Sequence, residues 1–247
     1  MILLISHKTD PHVDAVVNYL NKFNSTYFRL NTEELPEKVS AHWELTSKNQ
    51  DGILQVSPSQ YLRFSDIRAC WYRKPYLAQN KKTDMSDQAR QFVSEQSDAF
   101  LEDLWVSLAD NFWINYPHTI RQSGHKMTNL KIASELGLHT PQTIVTLSPQ
   151  EASRFYHQCK GNVVTKTLYG TVMNYEEKRY AIYTHKLIPE DLKQIDNVKY
   201  APTLFQEYIS KKIEIRVTIV GKKIFACEIH SQDSEKTKID WRHYDNV

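Results

Sequence analysis

The hydrophobic pattern of residues 1–30 predicts a strand, a helix and a second strand. Residues 1–6, MILLIS, are a short apolar run that is typical of a buried strand in a parallel sheet. Asp10 and Pro11 form a helix start, a capping residue followed by proline at the first helical position. Residues 27–30 predict the second strand. The helix between the strands carries an apolar stripe at Val13, Val16, Val17 and Leu20. This βαβ order predicts that the chain begins with an α/β domain.

A hairpin and a further strand are predicted after this unit. Apolar and polar residues alternate along residues 39–45, which indicates a half-buried strand. We expect Asp51 and Gly52 to form a turn that leads into a partner strand, ILQV. The segment ACWYR then predicts another strand.

The longest predicted helix follows a polar segment. Residues 81–88 are polar and predict a mobile loop. Residues 86–110 carry apolar side chains at helical spacing, and we assign their aromatic rings to the core. Pro117 closes this region, and we place a domain boundary near it.

The second region begins with another helix, in the segment HKMTNLKIASELGLHTP, for which Gly137 is the predicted C-terminal cap. The strand TIVTL precedes residues 148–151, a capping box with proline at the first helical position. The next strand, NVVTK, ends on Lys166, and Gly170 lies in the loop after it. Residues 173–187 predict a strand pair that the charged turn EEKR interrupts.

The last predicted hairpin carries a regular alternation of apolar and polar residues. Ile213, Ile215, Val217 and Ile219 alternate with polar residues, so Glu214, Arg216 and Thr218 fall on the opposite face of one strand. Neighbours on one face lie about 6 to 7 Å apart. A carboxylate and a guanidinium at that spacing suit one nucleotide, the acid on ribose hydroxyls and the arginine on phosphate oxygens. The same alternation is also typical of the solvent face of an antiparallel sheet, so both interpretations stay open.

Composition narrows the class of protein. The chain has 247 residues, 40% of them hydrophobic and 24% charged, which indicates a globular protein of about two domains or slightly more. Its net charge of +2 gives no electrostatic case for nucleic acid or an anionic membrane as a partner. The three cysteines show no paired spacing, which favours a reducing, cytoplasmic location over a disulfide framework. The sequence contains neither a signal peptide pattern nor a membrane-spanning run.

Three separated basic residues become informative through their order. Lys126 stands ahead of a helix, Lys166 closes a strand before a glycine loop, and Arg216 follows the segment QEYI at residues 206–209. Each has an ordinary interpretation: a solvated lysine, an edge-strand charge, a solvent-facing arginine. Together they suit a nucleotide that is held between two small sheets.

In this order the chain resembles the ATP-grasp ligases. It is most similar to the branch that matures graspetides, the microviridin-type ribosomal peptides. The resemblance covers nearly the whole chain, from DPHVDAVVNYL through CWYRKP and VVTKTLYG, and its most specific parts are QEY followed by EIRVTIVG and DWRHYD. It implies an α/β (α+β) fold with three parts: an N-terminal pre-ATP-grasp α/β domain at residues 1–117, a central lid domain at 118–203, and the start of the C-terminal ATP-grasp domain at 204–247.

The resemblance also implies roles for individual residues. Lys126 and Lys166 would contact the phosphates of ATP. Gln206, Glu207, Tyr208 and Ile209 would line the adenine pocket, with the backbones of Glu207 and Ile209 on the edge of the base, and Glu214 would bind the ribose. Arg216 and Arg242 would face the transferred phosphoryl group, as catalytic residues.

The implied reaction is the activation of Asp or Glu side chains in a ribosomal precursor peptide as acyl phosphates, followed by ring closure to side-chain esters or amides. The implied cofactors are ATP and Mg²⁺, and the implied partner is a precursor peptide with a leader and an acidic core. Relatives continue beyond DWRHYD into a metal-binding segment, so we expect this chain to be truncated and weakly active alone, with no metal ligand assigned. An uncovered apolar face on the last hairpin predicts a homodimer.

Two other functions remain open from the sequence. One is a different ATP-grasp carboxylate-amine ligase, which adds an amino acid or joins small metabolites. The other is a non-catalytic fragment that binds a nucleotide or a peptide.

Overall fold

The chain forms two compact units, Met1–Gln122 and Ser123–Val247. The computed structural model describes residues 1–48, 50–78, 85–170, 172–175 and 178–243. Residues 81–84 of the predicted loop lie outside the described residues.

The first unit is built on a parallel sheet of four strands. Its elements are β1 (Ile2–Ser6), α1 (Pro11–Lys22), β2 (Tyr27–Asn31), β6 (Ala69–Tyr72), α2 (Asp87–Ser107), β7 (Phe112–Ile114) and α3 (Pro117–Ser123). The strands of the sheet lie in the order β2-β1-β6-β7. The predicted helix start is confirmed, because the Asp10 carboxylate accepts a hydrogen bond from the amide of His12 at 3.0 Å. The predicted βαβ unit is therefore present, with β1 buried in the middle of the sheet.

Helix α2 covers this sheet with a narrower apolar stripe than the sequence predicts. It begins after Ser86, whose hydroxyl accepts a hydrogen bond from the amide of Ala89 at 3.2 Å. Leu101, Leu104 and Trp105 are buried in the core with the strands, but Phe92 is 61% exposed. The assignment of this helix's aromatic rings to the core is therefore wrong for Phe92.

An antiparallel sheet of three strands, β3 (Ser40–Leu45), β4 (Gln50–Ser57) and β5 (Gln60–Arg63), completes the first unit. The predicted turn at Asp51 and Gly52 is wrong, because both residues lie inside β4, opposite Glu44 and Trp43. Gly52 is needed there for space. A Cβ at this position would lie 2.6 Å from Cδ2 of Phe64 and 2.9 Å from the carbonyl oxygen of His42.

Replacing Gly52 with alanine is expected to destabilise the first unit by about 1 to 3 kcal/mol, because the added methyl group overpacks the contact with the Phe64 ring. Val56→Ala, on the exposed part of the same strand, is the control and should change the free energy of unfolding by less than about 0.5 kcal/mol. Chemical denaturation measures both. An equal effect of the two substitutions would contradict the packing role of Gly52.

In its described residues the second unit contains three sheets, of two or four strands. Its α-helices are α4 (Lys126–Glu135) and α5 (Pro149–Gln158), and Pro189–Tyr200 forms a 3₁₀ helix. Its strands are β8 (Thr143–Thr146), β9 (Val163–Lys166), β10 (Val172–Tyr175), β11 (Lys178–Ala181), β12 (His185–Lys186), β13 (Thr203–Glu207), β14 (Glu214–Val220) and β15 (Lys223–Ile229). The cap at Gly137 is confirmed: it has φ +78°, and the amide of Leu138 donates to the carbonyl of Ala133 at 3.0 Å, as in a Schellman motif.

The central sheet has the order β12-β9-β13-β8, with all neighbours antiparallel. Helix α5 begins at Ser148, whose hydroxyl accepts a hydrogen bond from the amide of Glu151, and packs on this sheet through Phe155 and Tyr156. The predicted domain division between residues 203 and 204 coincides with the start of β13, which is a central strand of this sheet. The sheet therefore extends to Glu207, and the division into lid and C-terminal domains stays a prediction.

Two hairpins, β10 with β11 and β14 with β15, form separate two-stranded sheets. The apolar face of β14 is open in the described residues, with Ile215 59%, Val217 50% and Ile219 66% exposed. The homodimer predicted from this face stays a prediction. Within the described residues, no helix is both long enough and apolar enough to cross a membrane.

Candidate functional site

A cavity of ≈ 530 Å³ lies within the second unit, and all nine residues singled out from the sequence line it. These are Lys126, Lys166, Gln206, Glu207, Tyr208, Ile209, Glu214, Arg216 and Arg242. They come from a helix, the central sheet, the last hairpin and the segment after it. The structure therefore brings together residues up to 116 positions apart in the sequence, while the role of each stays a prediction.

The pairing of β9 and β13 sets the position of Lys166. Val164 lies opposite Gln206, and Lys166 lies opposite Leu204, so the side chains of Lys166 and Gln206 are diagonal neighbours on one face. Lys166 Nζ donates to Oε1 of Gln206 at 2.7 Å, and Nε2 of Gln206 donates to Oγ1 of Thr143 at 2.9 Å. This chain of hydrogen bonds holds the lysine at the floor of the cavity.

Lys126 reaches the same cavity from the first turn of α4, where its Nζ donates to the carbonyl oxygen of Thr167. Burial lowers the pKa of Lys126, and the charge of Arg242 lowers it further. Burial is also the main cause of the lowered pKa of Lys166, and the charges of Lys126 and Lys211 add to it. The two lysines are thus partly buried and lie near other cations of the same cavity, whose charge an anionic ligand would compensate.

Residues 206–209 are the end of β13 and the start of the connector to the last hairpin, and they line the wall of the cavity. The amide of Glu207 donates to the carbonyl of Gln142 at 2.9 Å, so the Glu207 backbone has only its carbonyl left to contact a base. The amide of Tyr208 donates to the carbonyl of Asn162 at 2.9 Å. The ammonium of Lys186 stands 4.2 Å from the centre of the Tyr208 ring, a cation–π contact. The connector is thus held on both sides by backbone hydrogen bonds.

Strand β14 supplies Glu214 and Arg216 to the cavity, on the face that the alternation predicts. Glu214 Oε1 lies 2.6 Å from Nζ of Lys211, three residues earlier. The orientation at this short distance is not that of a hydrogen bond, so charge alone holds the pair. Arg216 is exposed, and within the described residues it has no ion-pair partner. Its guanidinium is therefore available to a ligand.

Asp240 holds Arg242 at another side of the cavity. Arg242 donates from Nε to Oδ1 at 2.8 Å and from Nη2 to Oδ2 at 2.5 Å, a bidentate pair. The amide of Thr184 also donates to Oδ2, at 2.9 Å. Burial opposes the charge of Asp240, but the hydrogen bonds from Arg242 and Thr184 outweigh it and hold the pKa of this carboxyl far below its usual range.

Sequence reasoning missed Lys211 and the pairing of Asp240 with Arg242. The cavity contains five cationic side chains, with Lys211 as the fifth, and three carboxylates. A local signal for Lys211 exists, because it stands three residues before Glu214. The contact of Asp240 with Thr184 joins residues 56 positions apart, so the sequence carries no local signal for it. An excess of cations in one cavity suits a polyanion such as a triphosphate.

The carboxylates of the cavity do not form an open magnesium site. In the part of the chain that the structure describes, no group of three His, Cys, Asp or Glu side chains is placed to hold a metal ion. Both oxygens of Asp240 accept hydrogen bonds, and Glu214 is paired with Lys211. Glu207 accepts a hydrogen bond from the amide of Gln142 at 3.3 Å. The residues described here therefore do not fit a resident Mg²⁺ ion.

Comparisons with known proteins show which proteins the chain is similar to. The family described as the MvdD pre-ATP grasp domain matches residues 1–121. A RiPP-associated ATP-grasp ligase from Chryseobacterium gregarium, solved with ADP and a leader and core peptide, is 30% identical with a TM-score of 0.90, over 98% of this chain and 72% of that chain. The macrocyclase MdnC from Microcystis aeruginosa MRC, bound with the precursor peptide MdnA, is 25% identical with a TM-score of 0.85, over 94% and 76%.

A second macrocyclase from the same organism, MdnB, is 28% identical with a TM-score of 0.76, over 93% of this chain and 74% of that chain. A search of curated protein sequences gives no significant match. The fold and these similarities define the class of the protein, an ATP-grasp ligase. Within that class, the chain belongs to the ligases associated with RiPPs, the ribosomally synthesised and post-translationally modified peptides.

Proposed function

We propose that this ligase binds ATP in the cavity of its second unit. Lys126 and Lys166 bind phosphate oxygens, and residues 206–209 line the adenine. Glu214 binds the ribose, and Arg216 and Arg242 face the phosphoryl group that is transferred. The observation that carries this proposal is the convergence of five cationic side chains on one cavity beside residues 206–209. Phosphoryl transfer depends mainly on positioning and on neutralising charge at the phosphate oxygens, which is what such residues supply.

The proposed substrate is a ribosomal precursor peptide, with a leader and an acidic core. A side-chain carboxylate of an Asp or Glu in the core attacks the γ-phosphate of ATP, which releases ADP and leaves an acyl phosphate. A hydroxyl or amine of the same peptide then displaces phosphate, so an ester or amide closes a ring of the microviridin type. Support comes from the positive cavity, which suits an acidic peptide, and from the leader, core and precursor peptides bound to the similar ligases.

Holding both reacting groups in one cavity supplies much of the rate, because it converts a reaction between separate molecules into one within a complex. Arg216 is exposed and available to the acyl phosphate, whereas Asp240 orients Arg242. We further propose that ATP enters as its magnesium complex in the cytoplasm. The ion would neutralise phosphate charge there, and no step above depends on a metal ligand from this chain.

The experiment that tests the function is mass spectrometry of a precursor peptide encoded beside the gene, after incubation with the full chain, ATP and Mg²⁺. We expect the peptide to lose one water for each ring, and ADP and phosphate to form in equal amounts. Replacing each acidic core residue with its amide should abolish the loss of water, which is the matched control. ATP turnover that joins a second molecule to the peptide, without loss of water within it, would instead indicate another carboxylate-amine ligase.

A further inference from the structure

The two carboxylates that face the cations of the cavity hold them in different ways. Asp240 is buried, binds Arg242 through both oxygens and also accepts a hydrogen bond from the backbone of Thr184. This pair is a fixed part of the fold. Glu214 is the first residue of β14, and Lys211 lies in the connector before it. The two side chains make a single short contact.

Both side chains of the Lys211 and Glu214 pair can still form further hydrogen bonds. Oε1 of Glu214 is buried and lies 2.6 Å from Nζ of Lys211, but without the geometry of a hydrogen bond. This buried oxygen can therefore accept a well-oriented hydrogen bond from a ligand that brings a hydroxyl group. Lys211 makes only one other contact in the described part of the chain, a long hydrogen bond of 3.4 Å to the carbonyl of Ile239.

Lys211 is also close enough to the phosphate-binding lysines to act on the same ligand. Its charge is among the causes that lower the pKa of Lys166. Both lysines line the same cavity, together with Lys126 and Arg216. Glu214 therefore neutralises one of the cations that repel each other while the cavity holds no anion.

We propose that Lys211 is a phosphate-binding residue, and that it stays paired with Glu214 until the nucleotide binds. The proposal rests on the proposed function. Ribose hydroxyls donate to Glu214 and satisfy its buried oxygen, and Lys211 turns from Glu214 to the phosphate oxygens. Both members of the pair have a partner before and after the exchange, so binding of the ribose and binding of the phosphates are coupled through one ion pair.

The coupling predicts that substitutions of Lys211 and Glu214 affect two probes differently: ATP, and inorganic tripolyphosphate, which has no ribose. Lys211→Met should weaken the binding of both probes about tenfold, because it removes a charge-assisted contact to phosphate. Glu214→Gln should weaken ATP about tenfold but leave tripolyphosphate at least as tightly bound as in the unmodified protein, because Lys211 is then free. Isothermal titration calorimetry of the full chain measures each dissociation constant.

Lys212→Met is the matched control, since Lys212 is the exposed neighbour that does not line the cavity. It should stay within about twofold of the unmodified protein for both probes. Lys211→Arg, which keeps the charge, should retain most of the affinity for tripolyphosphate. The inference is overturned if Lys211→Met binds tripolyphosphate as Lys212→Met does, or if Glu214→Gln weakens both probes equally. If the unmodified chain binds neither probe, the proposed function fails as well.

Discussion

Replacing Lys166 with methionine is expected to raise the dissociation constant of ATP about ten- to a hundredfold. The lost interaction is a charge-assisted contact to phosphate from a partly buried ammonium, which contributes about 1.5 to 3 kcal/mol. The rate of ring closure should fall further, by about a thousandfold in kcat/KM, because the same charge also stabilises the transferred phosphoryl group. Nucleotide titration and the mass-spectrometric assay measure the two effects.

The folded state should tolerate this substitution. Methionine removes the hydrogen bond to Oε1 of Gln206, but it also removes a cation that Lys126 and Lys211 repel. These effects have opposite signs, so the free energy of unfolding should change by less than about 1.5 kcal/mol. Lys131→Met, on the exposed face of α4, is the control for adding methionine. Normal ATP affinity in Lys166→Met would show that this lysine does not bind ATP.

The pH dependence of ATP binding gives a second measure of the same lysine. The pKa of Lys166 is lowered in the free protein, so its ammonium loses its proton at a lower pH than an ordinary lysine does. Binding of phosphate needs the charged form. Affinity for ATP should therefore fall as pH rises towards the ordinary lysine pKa of about 10.4, and Lys166→Met should show a shallower fall. The same slope in both proteins would contradict this.

The order of motifs along the chain predicted much of the fold and of the candidate site. The cap at Asp10 and the glycine cap at Gly137 are local signals, and both are confirmed. The alternation after residue 213 placed Glu214 and Arg216 on one face, where both line the cavity. These features are predictable because neighbouring residues determine them.

The sequence did not predict features that depend on residues far apart in the chain. Asp-Gly is a common turn, so the sequence predicts a turn at Gly52, but the ring of Phe64, which follows β5, explains the glycine. The exposed Phe92 on α2 could not be told from a core residue by its spacing. Lys126, which the sequence does single out, stands in the first turn of a helix, where a cation is unfavourable. Such a departure from local rules is typical of a functional site, and in the second unit this one coincides with the cavity.

Replacing Asp240 with asparagine is expected to lower both activity and stability. Asparagine keeps one oxygen acceptor but loses the negative charge and the bidentate pair with Arg242. The Arg242 side chain is 42% exposed and can be rehydrated, so the loss of stability should be about 1 to 2 kcal/mol. A misplaced Arg242 should lower kcat about a hundredfold with a smaller change in the KM for ATP, as expected of a positioning residue.

The pH dependence of stability separates this charge effect from simple loss of packing. The pKa of Asp240 is lower in the folded chain than the unfolded value of about 3.9, so its contribution is complete above that pH and is lost as pH falls towards the folded pKa. The difference in unfolding free energy between the unmodified protein and Asp240→Asn should therefore shrink from pH 6 to about pH 3. Other carboxylates with a lowered pKa, such as Asp191, titrate in both proteins and cancel. Asp233→Asn, at an exposed aspartate outside the cavity, should leave activity and stability unchanged. A difference for Asp240→Asn that is independent of pH would show that Asp240 acts through its shape and not through its charge on Arg242.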